Sequence, residues 1–129
     1  MHLSESVAMR VCIVDDNHHN ARIMQRKLLA KNASLDVQIM AYPEDVLENW
    51  QQFDVIILEN QFGPGFMTGA EAIQHIRQQE GPSPAVKQII TVLWTIESNP
   101  DAPGADLIRD KAIAADEMSA QLAPLLSEM

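Results

Sequence analysis

Three acids in this 129-residue chain stand where apolar runs stop. Asp15 and Asp16 follow Val11 to Val14, and Glu59 follows the largely apolar run from Phe53 to Leu58. Each run reads as a buried strand, so each acid lies at a strand's carboxyl end, the edge at which open α/β sheets bind ligands. If the two strands are neighbours, three carboxylates converge, and like charges that close are costly. Their chemistry then calls for a cation. A hard divalent metal would suit the carboxylate oxygens, and a lysine ammonium is the other choice. Lys111, near the end of a later apolar segment, can supply that ammonium.

Other candidate groups carry less. His18 and His19 are adjacent, face different ways on a helix and make poor joint ligands. The glycines of "FGPGFMTG" lack the following Lys-Ser/Thr of a phosphate loop and read as loop geometry. Cys12 lies inside a strand and reads as core, and Trp50 and Trp94 read as packing residues. The plain alternatives for the acids are a solvated strand end with a helix cap at Asp15–Asp16 and a surface acid at Glu59. For Lys111 the plain alternative is an ordinary surface lysine.

The elements that must position these groups follow from periodicity. Val11 to Val14 form a short β-branched run, as expected of a strand buried on both faces. Residues 17–31 carry Ala21, Ile23, Met24, Leu28 and Leu29 near helical spacing, with Asn17 as N-cap. Residues 34–42 alternate as a second strand, and Pro43 opens a short helix over 44–50. The third strand is 53–59, followed by a glycine-rich loop and a helix over 70–79 with Ala72, Ile73 and Ile76 on one face. "GPSP" breaks that helix. A fourth strand spans 87–95, a fifth lies within 106–113, and a last helix covers 115–126, its end disturbed by Pro124. Strands alternating with helices, three of them apolar on both faces, predict a parallel sheet covered on both sides.

Composition excludes several functions. Apolar residues are 47% of the chain, as in globular proteins, and its length suits one domain over residues 1–129. The net charge of −9 argues against nucleic acid and anionic membranes. A single cysteine, no apolar leader and no membrane-length apolar stretch point to a cytoplasmic chain.

The stretch "VCIVDDNHHNARIMQRKLL", with "FDVIILEN", "LWTIE" and "GADLIRDKAI", resembles the receiver domain of two-component response regulators over roughly Met9 to Leu126. The resemblance implies a CheY-like, flavodoxin-like three-layer α/β sandwich with a five-stranded parallel sheet in order 2-1-3-4-5. It implies Mg2+ held by Asp15, Asp16 and the Gln61 carbonyl, and phosphoryl contacts from Thr95 and Lys111, with Thr91 as a second candidate for the threonine. Glu59 falls where the family has its phosphorylated aspartate. The implied partners are a sensor histidine kinase or a downstream signalling protein. Met118 on the last helix is compatible with a homodimer face.

The sequence departs from that pattern in four places. Glu59 is one methylene longer than aspartate, and a misplacement of roughly 1 Å can cost about a hundredfold in rate. The loop after it, "NQFGPGFMTG", is longer than the family's turn. Only Ile96 to Pro103 separate Thr95 from Gly104, so the fourth helix is expected to be shortened or missing. Ile108 stands where the family has a switching aromatic. These departures predict a degenerate, non-enzymatic pseudo-receiver acting through protein–protein interaction, with little or no Mg2+ binding. The competitors are an active Mg2+-dependent phospho-receiver and a metal-dependent phosphohydrolase. Against the latter, Asp15 and Asp16 are adjacent and form no Asp-x-Asp pattern.

Overall fold

The computed structural model describes residues 9–81, 89–95 and 101–110. Its five strands are β1 (Arg10–Val14), β2 (Asp36–Met40), β3 (Val55–Leu58), β4 (Ile90–Thr95) and β5 (Leu107–Asp110). All pairings are parallel and the order is β2-β1-β3-β4-β5. The described helices are α1 (His18–Lys31), α2 (Pro43–Leu47) and α3 (Gly69–Glu80), with a 3-10 turn at Trp50–Gln52. The fold class and strand order are those expected from the sequence.

Alternation along the strands divides the core in two. Cys12, Val14, Ile56, Leu58 and Leu93 face α2 and α3 through Val46, Ala72, Ile73 and Ile76. Val11, Ile13, Val55, Ile57, Val92 and Trp94 face α1 through Ala21, Met24 and Leu28. Each fully buried aliphatic side chain contributes about 1.5–3 kcal/mol, and β1 and β3 have such residues on both faces. This is why they show as unbroken apolar runs. Burial pushes the Cys12 thiol up to about 12, in keeping with a core role.

Local chemistry accounts for the helix bounds. Asn17 caps α1 by accepting from Asn20 N at 3.1 Å. Thr68 and Glu71 form a reciprocal capping box at α3. One expectation needs correction, and one is refined. α2 ends at Leu47, three residues before Trp50, which a separate 3-10 turn carries, because Asn49 leaves helical geometry. Ile23 is 36% exposed and points away from the buried stripe of Ala21, Met24 and Leu28.

Residues 101 to 106, before β5, form turns and no helix. Arg77 of α3 holds this segment. Its Nε donates to Gly104 O at 2.9 Å, and Nη2 to Asp106 Oδ2 at 2.7 Å. Nη1 donates to Glu80 Oε1 at 2.7 Å and to Ile89 O at 3.0 Å. Ile108 is 37% exposed on β5. Lys111 and the segment expected as the last helix, with Met118, lie outside the described residues.

Candidate functional site

The register builds the site. Val14 pairs with Leu58, and Glu59 N donates to Val14 O at 3.0 Å, so Asp15 and Glu59 leave adjacent strand ends. Leu58 pairs with Leu93, which puts Thr95, two residues on, at the same carboxyl edge. Thr91 lies elsewhere. It pairs with Ile56 near the start of β4, and its hydroxyl accepts from Arg77 Nη2 at 3.1 Å. The structure therefore brings Asp15, Glu59 and Thr95 to one edge and sets Thr91 in the network beneath the sheet's other end.

The two adjacent aspartates differ in environment. Asp15 is buried, its N–H donating to Met40 O at 3.0 Å and its Oδ1 accepting from Asn17 N at 2.9 Å. Asp16 is exposed. Asp15 thus closes the turn into α1, and Asp16 faces water. Glu59 is 8% exposed and its carboxylate folds back on its own loop. Oε2 accepts from Asn60 N at 2.5 Å and from Gln61 N at 3.4 Å. Thr95 is buried, while Gln61 is exposed.

Asn60, not singled out from sequence, ties the loop together. Its carbonyl accepts from Gly69 N at 2.9 Å and its Oδ1 from Ala70 N at 3.0 Å. Thr68 serves the next two donors, taking Glu71 N on Oγ1 at 3.1 Å and Ala72 N on its carbonyl at 3.0 Å. The free N–H groups with which a helix begins are therefore all taken within the chain. The Thr68-x-x-Glu71 spacing was a readable signal for half of this; nothing in sequence marks Asn60. Gly69 is needed for a different reason: a Cβ there would lie 2.1 Å from Glu59 O and 2.9 Å from Leu93 Cδ1.

Between Glu59 and α3, Gly63 and Gly65 adopt φ of 97° and 88°, a region open to glycine. They shape the loop so that Phe66 stacks on Tyr42, with ring centroids 4.2 Å apart and planes 11° from parallel. Met67 N donates to Glu44 Oε2 at 2.9 Å, pinning the loop to α2.

The oxygen donors at the edge suit Mg2+, which favours carboxylates, carbonyls and water. Asp15, Asp16 and the Gln61 carbonyl are the residues that would hold it. Among the described residues, no three of His, Cys, Asp and Glu come together as a metal-binding group. No described helix is long and apolar enough to cross a membrane.

No family model matches the chain, and no curated protein does. Solved structures do. A CheY-like receiver domain protein from Methanospirillum hungatei JF-1 is 16% identical with a TM-score of 0.77, covering 95% of this chain and 96% of its own. The response regulator TrrA of Thermotoga maritima, in complex with Mg2+-BeF, is 20% identical with a TM-score of 0.74, covering 91% and 98%. The Saccharomyces cerevisiae Ssk1 receiver domain, in co-crystal with the histidine phosphotransfer protein Ypd1, is 21% identical with a TM-score of 0.70, covering 88% and 86%. The chain thus has the fold of CheY-like response-regulator receiver domains.

Proposed function

We propose that this chain is a receiver-type signalling domain that acts through protein–protein contact, with Glu59 standing in for the phosphoryl-accepting aspartate. The observation that carries the reading is the turn of the Glu59 carboxylate onto Asn60 N and Gln61 N. The extra methylene places negative charge where a phosphoryl group would sit, and two backbone donors already serve it. A carboxylate brings one negative charge, against about two for a phosphoryl group, so it is a partial and permanent mimic.

Thr95 stands at the same edge as a phosphoryl-contact equivalent, and Lys111 would complete the pocket as the cation for Glu59. Asp15, Asp16 and the Gln61 carbonyl would bind Mg2+ weakly, since Asp15 Oδ1 is engaged by Asn17 N. When bound, the ion supplies positive charge that offsets the acids. The partner class is a sensor histidine kinase, a phosphotransfer protein like that seen with the Ssk1 receiver, or a downstream signalling protein. On this reading the domain is not an enzyme. A phosphohydrolase reading draws no support from the described acids, since Asp15 is buried and Asp16 exposed.

The test is incubation with acetyl phosphate and Mg2+, followed by intact mass spectrometry. We expect no adduct of about 80 Da, the mass of one phosphoryl group; a stable or transient adduct at Glu59 would overturn the reading. A working phospho-receiver is the second reading, favoured by the shared edge of Asp15, Glu59 and Thr95. Glu59→Asp separates the two. It changes little in a chain that is already phosphorylated, and opens phosphorylation in one that is not.

A further inference from the structure

We infer that the exposed ring of Phe66 is the centre of a docking site for a basic segment of a partner protein, with an arginine guanidinium laid on its face. The inference rests on the proposed protein-interaction role and adds the surface and the chemistry of the partner.

Three observations carry it. Phe66 is one of three large apolar side chains exposed among the described residues, and at 44% the most open of them. It is also held in place. Phe66 stacks on Tyr42 at 4.2 Å, and Tyr42 meets the buried Phe62 at 6.3 Å and 56°. Met67 N is bonded to Glu44 at 2.9 Å. The ring is thus presented in a fixed orientation, and little ordering is left to be done on binding.

The third observation is charge. Residues 43–48 and 60–76 contain no lysine or arginine but four acids, Glu44, Asp45, Glu48 and Glu71. These two segments build α2, the loop after β3 and the first turns of α3. Glu44, Asp45 and Glu71 there are exposed. An aromatic face flanked by carboxylates attracts a cation through both ring quadrupole and charge. Arginine suits it better than lysine, because a planar guanidinium stacks while its donors reach neighbouring carboxylates. The same acids repel nucleic acid. The site lies toward the carboxyl edge of the sheet: Tyr42 is two residues beyond the end of β2, whose Met40 O accepts from Asp15 N.

The competing occupant is a second copy. α1 carries exposed Arg22, Arg26, Lys27 and Lys31 around the exposed Ile23, so copies could stack head to tail. The net charge of −9 works against that, and a separate partner is the occupant we assign.

The probe is a fluorescein-labelled, arginine-faced amphipathic peptide, titrated against the full chain by fluorescence anisotropy, with an all-lysine counterpart. Phe66→Leu keeps an apolar contact with Tyr42 and removes the ring. It should weaken arginine-peptide binding about two- to fivefold, the range of an exposed cation–π contact. Phe66→Ala should weaken it at least as much, and Asp45→Asn should weaken it too. Asp36→Asn, the same charge change at the start of β2, should leave it unaltered, and the lysine peptide should bind less tightly. Unchanged binding by Phe66→Leu, or an equal loss in Asp36→Asn, overturns the inference. Sedimentation showing self-association that Phe66→Ala abolishes overturns it in favour of a second copy. A phosphoryl adduct on Glu59 would sink the non-phosphorylated reading while leaving the peptide results to decide this one.

Discussion

Gly69→Ala sets two well-understood effects against each other at the point where α3 meets the candidate site. Alanine is favoured over glycine within helices by roughly 0.5–1 kcal/mol, so propensity alone predicts a more stable protein. Packing predicts the reverse. The new Cβ would lie 2.1 Å from Glu59 O, 2.9 Å from Leu93 Cδ1 and 3.1 Å from the Glu59 carbonyl carbon. Ordinary carbon–oxygen contacts begin at about 3.3 Å, so more than about 1 Å must be found. Leu93 can rotate its methyl away, but Glu59 O is backbone. Glu59 N is bonded to Val14 O at 3.0 Å, and Gly69 N to Asn60 O at 2.9 Å. Either α3 retreats or the end of β3 moves. Overpacking of this kind costs about 1–3 kcal/mol, enough to outweigh the helix gain. Urea denaturation should therefore show a lower midpoint with an unchanged slope. The amide NMR shifts should change most at Glu59, Asn60 and Gln61. A variant as stable as the parent, or more so, would refute the claim that glycine is required here for close approach.

The remaining predictions address the network under the sheet, the buried thiol and the loop tie. Arg77→Ala leaves Glu80, whose side chain is 1% exposed, with Ile89 N as its remaining described donor; breaking a buried pair from one side costs about 3–5 kcal/mol, measurable by urea unfolding, and Arg77→Lys should recover only part because an ammonium cannot reproduce the fork. Cys12 should resist iodoacetamide at pH 8 at least about a thousandfold relative to the unfolded chain, since its thiol is pushed up to about 12 and only the thiolate reacts. Because the unfolded thiol loses its proton first, near pH 8.5, the Cys12 contribution to stability is intact below that pH. It falls by about 1.4 kcal/mol per pH unit as pH rises toward the folded value, a slope that Cys12→Ala should lack in pH-dependent unfolding. Asn60→Ala removes the acceptor for Ala70 N and should cost about 1–2 kcal/mol in thermal or urea unfolding, as loss of a helix cap does.

Much of the fold was legible because β1, β3 and β4 are buried on both faces, which leaves unbroken apolar runs that few other arrangements tolerate. α1 and α3 were legible from buried residues three and four apart. α2 was read too long because Val46 and Trp50 have helical spacing, yet Trp50 reaches the core from a 3-10 turn. Ile23 falls near the helical spacing yet is exposed, because apolar identity alone does not tell a stripe from its flank. The hub at Arg77 was invisible for a different reason. Its partners Glu80, Ile89, Thr91, Gly104 and Asp106 are brought together by tertiary structure, and nothing in their spacing announces it.

At the candidate site, residue types told which groups would meet but not how they would be occupied. Acids ending β1 and β3 could be placed at one edge from strand order alone. Sequence could not show that Asp15 turns inward to Asn17 N, or that Glu59 folds onto Asn60 N and Gln61 N. Those hydrogen bonds depend on where the backbone places its N–H groups, which residue types do not reveal. An aspartate at position 59 would be one methylene shorter and would set its carboxylate differently in the loop that Gly69 N ties at Asn60 O. The glycine behind it decides where the β3 end sits, because a Cβ at position 69 would lie against Glu59 O. Glu59→Asp combined with Gly69→Ala should lose any phosphorylation that Glu59→Asp alone opens, as read by intact mass after acetyl phosphate and Mg2+. Equal phosphorylation of the single and double variants would show that the position of the β3 end is not what controls the site.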